Sequence, residues 1–482
     1  MKRKYKWSVA LVALTLILAA CAEGEEDGST TTAAASEEPT TTAAAGEEPT
    51  TTAGAAAGET PYDELNQALA GEFEGTEVEV VAQWAPDGAE AESFEITLQP
   101  FRDATGIDVV FNPTVEYETA LQVRVDGGDA PDLAQIAQPG KMQQYAAAGS
   151  LVNLSEWFNV EQLEQDLCCD FVNLGSSDGN LYGVFWKTDV KSIVWYPIAA
   201  FEENGYAPPT TWDELIALSD QIVADGSNPW CISIESEAAD GWVATDWMED
   251  ILLRTAPPET YTAWYNHEIP FNDPEVLEAA ELMHQVWFTE GYAYGGPTYI
   301  NQTFIGNTQD PMFNPDGPDC WMQKQAAWIP GFWGENKDFT DPAEWPNQPG
   351  EDVGFFYFPP IEEEFGSPVL GAADMFVMFN DRPEVRALLE WLAMPESSAG
   401  WIARGGFLAA NKNVPVDSYA YPNDELAALT AEATTFGFDA SDLMPAEVGA
   451  GTFWSGMVEW VAAGGEGTDA VFQSIEDSWP AG

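Results

Sequence analysis

The sequence predicts an α/β fold, and three observations carry that prediction. Strand-like and helix-like stretches alternate along the chain from about residue 76. Hydrophobic residues make up 45% of the composition, enough to bury a sizeable core. The length of 482 residues divides into two or three units at about 150 residues each.

Glu77–Gln83 (EVEVVAQ) alternates like a strand and runs into a turn at Ala85-Pro86-Asp87-Gly88. Ala89–Ala104 places Phe94, Leu98 and Phe101 on one side of a helix, which Gly106 closes. Ile107–Phe111 reads as the next strand, Asp132–Ile136 as another, and Gly140–Ala148 as a helix. Further on, Ser192–Tyr196 is a strand and Ile198–Asn204 a helix. Pro208 and Pro209 then hold the chain extended. Thr211 caps a helix reaching about Ala224, with Glu214 as its capping-box partner. Such alternation predicts a parallel sheet with helices on its faces.

The N-terminus has a different composition. Met1–Ala20 opens with Lys2, Arg3, Lys4 and Lys6 and continues as an apolar run from Val9 to Ala20, the pattern of a secretory signal peptide. The run ends Leu18-Ala19-Ala20-Cys21, which resembles the bacterial lipoprotein box, in which the cysteine is acylated and becomes the first mature residue. Residues 21–75 are expected to be a disordered tether: TTTAAASEEP at Thr30–Pro39 repeats as TTTAAAGEEP at Thr40–Pro49, with no large apolar side chain to bury. A flexible coil of about 55 residues spans roughly 40 Å root-mean-square. Together these features predict an extracytoplasmic protein anchored to the membrane by a lipidated Cys21.

The chain carries 16 basic and 81 acidic residues, a net charge of −65. Losing the signal peptide deepens it by four. Such a surface repels nucleic acid and anionic lipid headgroups, which excludes both as partners. It also fits a salty habitat, where screening offsets self-repulsion.

Besides Cys21 there are Cys168, Cys169, Cys231 and Cys320. In an oxidising compartment an even remainder favours disulfides, and Cys231–Cys320 is the expected pair. Adjacent Cys168 and Cys169 either form a strained vicinal bridge or stay as thiols. No cysteine–histidine spacing for zinc exists, and His267 and His284 are the two histidines, so neither a metal nor a cofactor is expected.

The segment LYGVFWKTDVKSIVWYPIAAFEENGYAPPTTWDELIAL (Leu181–Leu218) resembles the sugar-binding proteins of carbohydrate ABC importers, of the maltose, trehalose and α-glucoside type. The opening EVEVVAQWAP with FEITLQPFRDATGIDV, the block GDAPDLAQI with MQQYAAAGSLVNLSEW, the late stretch RALLEWLAMPESSAGWIARGGFLAANKNV and a final helix near Phe472–Trp479 follow in the family's order. The resemblance implies the two-lobe periplasmic-binding-protein fold (type II) with a multi-strand hinge. The chain would cross between lobes near Trp186–Asp189, Phe358–Pro360 and Met394–Ser398. One lobe would then hold 76–187 plus 359–396 and the other 188–358 plus 397–482. It also implies a monomeric receptor that captures a small sugar, an α-glucoside or other small oligosaccharide, and delivers it to permease subunits.

Sugar recognition needs carboxylates and amides for hydroxyls, and flat aromatic faces for the apolar side of the ring. Most of the twenty tryptophans are expected in cores. Trp84 stands out because it follows the first strand, where loops at carboxyl ends line a cleft. Phe332 and Trp333 stand out because Gly331 and Gly334 flank them, and Trp454 occupies a similar Gly-Thr-Phe-Trp context. Asp189 is the leading polar candidate, expected as an ionised carboxylate held between Lys187 and Lys191. A surface ion pair of little consequence is the alternative. Glu92 resembles the family's acidic contact, with Glu90 and Asp87 as alternative registers. Asp374 stands where relatives carry an aromatic, and Arg404 either reaches the cleft or pairs with a nearby carboxylate.

Two other functions fit the composition. A surface glycoside-active enzyme would need two carboxyls astride the scissile bond, a pattern uninformative among so many acids. A ligand-sensing lipoprotein differs from a transport receptor by its partner, not its sequence.

Overall fold

The computed structural model describes residues 60–86, 88–333 and 347–480. The signal peptide, Cys21, the repeat and Asp87 lie outside the described residues. The last part of the segment 21–75, expected as tether, is instead folded: helix α1 (Asp63–Leu69) belongs to the folded body. Tyr62, Leu65 and Ala68 are buried, and the Leu65 N–H donates to the Glu390 carboxylate at 2.6 Å. The polar composition of this segment hides three apolar positions at helical spacing.

The first sheet begins with β1 (Glu77–Ala82), β2 (Asp108–Pro113) and β3 (Leu133–Ile136), with β1 central and parallel to both neighbours. Helices α2 (Ala89–Thr105), α3 (Tyr117–Gly127) and α4 (Pro139–Ala147) alternate with these strands. Gly106 ends α2 in the left-handed conformation, at φ 68°, as expected of a C-terminal glycine. The chain then adds β4 (Gly183–Val190), all of it buried.

A second sheet follows, formed by β5 (Ile193–Pro197), β6 (Asn228–Trp230), β7 (Cys320–Lys324) and β8 (Val353–Tyr357) in the order β8-β5-β7-β6. Helices α5 (Ile198–Asn204), α6 (Trp212–Ala224) and α7 (Trp242–Thr255) lie between its strands. The Thr211 hydroxyl caps α6 by accepting from the Glu214 N–H at 3.2 Å. The Glu214 carboxylate accepts from the backbone of Thr210 at 2.8 Å, one residue before the expected partner.

The chain returns to the first sheet through β9 (Val369–Met378), β10 (Leu408–Ala409) and β11 (Phe436–Phe438). The order is β10-β4-β9-β3-β1-β2, with β11 beside the start of β9. Only part of the sheet is parallel as expected, since β9 runs antiparallel to both β3 and β4.

Two large hydrophobic cores result. The first gathers Val80, Phe94, Trp186, Phe376, Leu388 and Trp401, and the second Val194, Trp247, Met283, Trp287, Leu370 and Trp460. Strands β4, β9 and β11 carry the chain between them. Trp186 sits in the first core and Val194 in the second, Leu370 in the second and Ala373 in the first, Phe438 in the first and Ala440 in the second. The three crossings are tied side by side. The Lys191 N–H donates to Leu370 O at 2.9 Å, and the Asp439 N–H to Gly371 O at 2.9 Å.

Two expected crossings are therefore corrected. Phe358–Pro360 stays with the second core, because the buried Arg254 guanidinium donates to the carbonyls of Phe358 and Pro359 at 2.9 and 3.0 Å. Met394–Ser398 stays with the first core, where Ser397 accepts the Trp186 indole N–H at 3.0 Å. Consequently Trp401, Phe407 and Ala410, expected in the second lobe, pack in the first.

Candidate ligand-binding site

A cavity of about 270 Å³ opens where β4 and β9 leave the first core. One wall comes from the loop after β1, the starts of α2 and α3, and the inward faces of β4 and β9. The other comes from residues 236–239, 242, 304–305, 328 and 332, with Asp439, Asp442 and Trp454.

Lys187 and Asp189 are two apart on β4, so strand geometry puts both on one face. Lys187 Nζ donates to Asp189 Oδ2 at 2.7 Å and lies 3.6 Å from Asp374 and 3.9 Å from Glu90. Register explains Asp374, which lies directly opposite Lys187 across the β4–β9 ladder. Its other oxygen accepts from the Gln135 amide at 2.7 Å. Burial would lower the Lys187 pKa, but Asp189, Asp374 and Glu90 outweigh it and hold the ammonium protonated. Burial raises Glu90 to about 7 against the pull of Lys187, and raises Asp374 as well.

Lys191 departs from expectation. It does not flank Asp189; its ammonium contacts Asp246 and Asp439 at 2.7 and 2.6 Å and lies 5.2 Å from the Trp242 ring centre. The β4 strand ends at Val190, so the same-face rule stops applying there. Burial raises Asp246 to about 8, whereas Lys191 outweighs burial at Asp439 and lowers it.

The second wall is aromatic. Trp242 and Trp328 lie 5.9 Å apart by ring centres, Trp328 and Phe332 5.6 Å, and Phe332 and Phe304 6.3 Å. All four are at least partly exposed and line the cavity. Trp242 begins α7 immediately after Gly241, whose φ of 107° and 2.2 Å clearance to the Trp454 carbonyl for a would-be Cβ leave no room for a side chain. Thus the sharp entry that sets the Trp242 ring depends on that glycine.

Of the sequence candidates, Trp84, Lys187, Asp189, Phe332, Asp374 and Trp454 line this cavity. Trp84 is nevertheless mostly core, 3% exposed and packed 5.1 Å from Phe94 and 5.2 Å from Trp401. Trp454 is similarly buried, its indole N–H donating to the Ser441 hydroxyl at 3.2 Å.

Trp333 is a correction. The short turn Ile329–Phe332 sends Phe332 to the cavity and Trp333 inward, fully buried, 5.1 Å from Trp195 and 5.6 Å from Phe313. Glu92 and Arg404 are two more. They pair with each other at 3.4 Å and neither lines the cavity. Positions 90 and 92 on α2 lie about 200° apart around the axis, so when Glu90 faces inward Glu92 cannot.

Sequence reasoning missed Trp242, Trp328 and Phe304 among many aromatics, and also Glu118, Asp439 and Asp442. The Gly241-Trp242 step was the one local signal. The Cys231–Cys320 disulfide is present, with its sulfurs buried beside Met312. Among the described residues, no helix is long and apolar enough to cross a membrane.

A cavity shared between two α/β cores, bridged by three adjacent strands, defines a solute receptor of the two-lobed periplasmic class. Residues 97–428 match the bacterial extracellular solute-binding proteins, and the chain belongs to that family. It is 41% identical over 397 residues to the osmoprotective compounds-binding protein GgtB of Synechocystis sp., covering 82% of this chain and 90% of that one. It is 36% identical over 419 residues to the alpha-glucosides-binding periplasmic protein AglE of Rhizobium meliloti, covering 85% and 88%. The fold matches the solute receptor AcbH, which prefers β-D-galactopyranose, with a TM-score of 0.71 at 18% identity over 83% of this chain and 98% of that one. It also matches RafE in complex with raffinose, with a TM-score of 0.63 at 19% identity over 84% and 98%.

Proposed function

We propose that this receptor captures a neutral α-glucoside or related small polyhydroxy solute in the cavity and delivers it to the permease of an ABC importer. One observation carries the reading: an aromatic wall, Trp242, Trp328 and Phe332, faces carboxylates held by Lys187. Aromatic faces suit the C–H side of a sugar ring, and fixed carboxylates accept its hydroxyl protons. Charge supports a neutral solute. The lining holds the carboxyls of Glu90, Glu118, Asp189, Glu237, Asp374, Asp439 and Asp442 against only Lys187 and Lys191, which disfavours phosphorylated or acidic sugars. The names of GgtB and AglE, osmoprotective compounds and alpha-glucosides, point the same way.

The receptor would work as a monomer, without turnover, tethered outside the cytoplasm through acylated Cys21. A strongly acidic exterior and an osmoprotectant receptor among its relatives fit one setting, high external salt. A thermal-shift screen tests the ligand class. A solute at about 100 times its Kd adds roughly 2.7 kcal/mol of stability. Neutral α-glucosides should raise the melting temperature, whereas uronic acids and sugar phosphates should not. A shift with the acidic sugars alone would reject the reading.

A further inference from the structure

Cys168 and Cys169 pack against the first core and do not line the cavity, and the function above uses neither. Both are partly exposed. The Cys169 thiol donates to the Cys168 sulfur with only 2.7 Å between the two Sγ atoms. Adjacent side chains in a strand or helix point apart, so this approach needs an unusual backbone. It is supplied at Cys169, whose φ is 58°.

Neighbouring segments hold that turn in place. The Cys168 N–H donates to Ala410 O at 3.2 Å, the Phe171 N–H to Cys168 O at 3.1 Å, and the Lys412 ammonium to Leu167 O at 3.2 Å. The Cys169 hydrogen bond lowers the Cys168 pKa against the effect of burial, and Lys412 adds to the lowering. Cys231 and Cys320 are already joined, as expected of a chain that matures where disulfides persist.

We propose that Cys168–Cys169 is a redox-active vicinal dithiol that closes to a disulfide by exchange with a small disulfide outside the cytoplasm. The Cys168 thiolate attacks one sulfur of the incoming disulfide, whose S–S bond breaks and releases one small thiolate. Cys169 loses its proton to water and attacks the Cys168 sulfur of the mixed disulfide, releasing the second small thiol. Two protein S–H bonds are thereby exchanged for one S–S bond, and the small disulfide leaves as two thiols. The ring would lock the 167–170 turn beside residues 410–412. That segment follows β10, whose Ala409 pairs with Lys187 of the binding wall.

The test exposes the mature protein, first held under mild reductant, to oxidised glutathione, followed by acid quenching, alkylation and peptide mass mapping. Wild type should lose both alkylatable thiols together, and the peptide spanning 167–170 should lose the mass of two hydrogens. Cys169→Ser should instead stop at a mixed disulfide carrying one glutathionyl group on Cys168. The buried Cys231–Cys320 bridge should be unaffected in both. Wild-type thiols that stay alkylatable, or that each retain glutathione without closing, would overturn the proposal whether or not the variant folds.

Discussion

Asp374 lies directly across the β4–β9 ladder from Lys187, and its carboxylate sits 3.6 Å from the Lys187 ammonium. The same ammonium donates to Asp189 at 2.7 Å and lies 3.9 Å from Glu90, so one buried cation organises three carboxyls at the cavity wall.

Removing that cation should damage the fold before it damages recognition. Lys187→Met leaves three clustered carboxyls without compensation, and breaking a buried pair from one side costs about 3–5 kcal/mol. Chemical denaturation of the ligand-free protein should show a loss of that order. A stability equal to wild type would mean the cluster is freely hydrated.

Phe332 and Trp333 are neighbours with opposite roles. Trp333→Ala empties a fully buried site and should cost about 3–5 kcal/mol of stability. Phe332→Ala removes a partly exposed cavity face and should weaken sugar binding by about 1–3 kcal/mol, scaled from aromatic burial, with a smaller change in melting temperature. Denaturation and calorimetry on both variants check the division, which fails if Trp333→Ala weakens binding while leaving stability intact.

Stability should fall as pH rises from about 5 to 8. Glu90 titrates near 7, Asp246 near 8 and Glu390 near 8, each raised first by burial. Over that interval the folded state binds more protons than the unfolded chain, whose carboxyls ionise near 4, so raising the pH favours unfolding. Growing negative charge acts in the same direction. Glu90→Gln should flatten part of the slope in melting temperature between pH 5 and 7. An unchanged slope would show that Glu90 ionises normally.

The Cys231–Cys320 bridge closes a loop across a sequence separation of 89 residues. In the chain-entropy account a loop of that length contributes about 4–5 kcal/mol. Replacing both cysteines with serine should lower the denaturation midpoint accordingly, and an unchanged midpoint would contradict it.

Local signals made much of the fold legible. Apolar spacing located β1, α2 and α5 to within a residue or two, and the Thr211 cap located the start of α6. Helix α3 went unread because its apolar residues do not share one face: Tyr117 and Leu121 are buried, whereas Val123 is exposed. Two of the three crossings inferred from the family resemblance were misplaced because the surroundings of those segments are set by Arg254 and Trp186, far away in sequence. The site was half legible for the same reason. The Lys187–Asp189 pair was legible as opposite charges two residues apart, whereas the partnership of Lys191 with Asp246 and Asp439 depends on long-range packing.

The central claim is that a neutral sugar binds in the cavity against the Lys187-held carboxylates. Titration calorimetry with an α-glucosidic disaccharide, on wild type beside Asp189→Asn, tests it most directly. A charged acceptor to a hydroxyl contributes about 1.5–3 kcal/mol. The account predicts a single site in wild type and an affinity lower by roughly 10- to 150-fold in the variant, from the corresponding free energies. Equal affinity in the two proteins, or no binding of any neutral sugar to wild type, would contradict it.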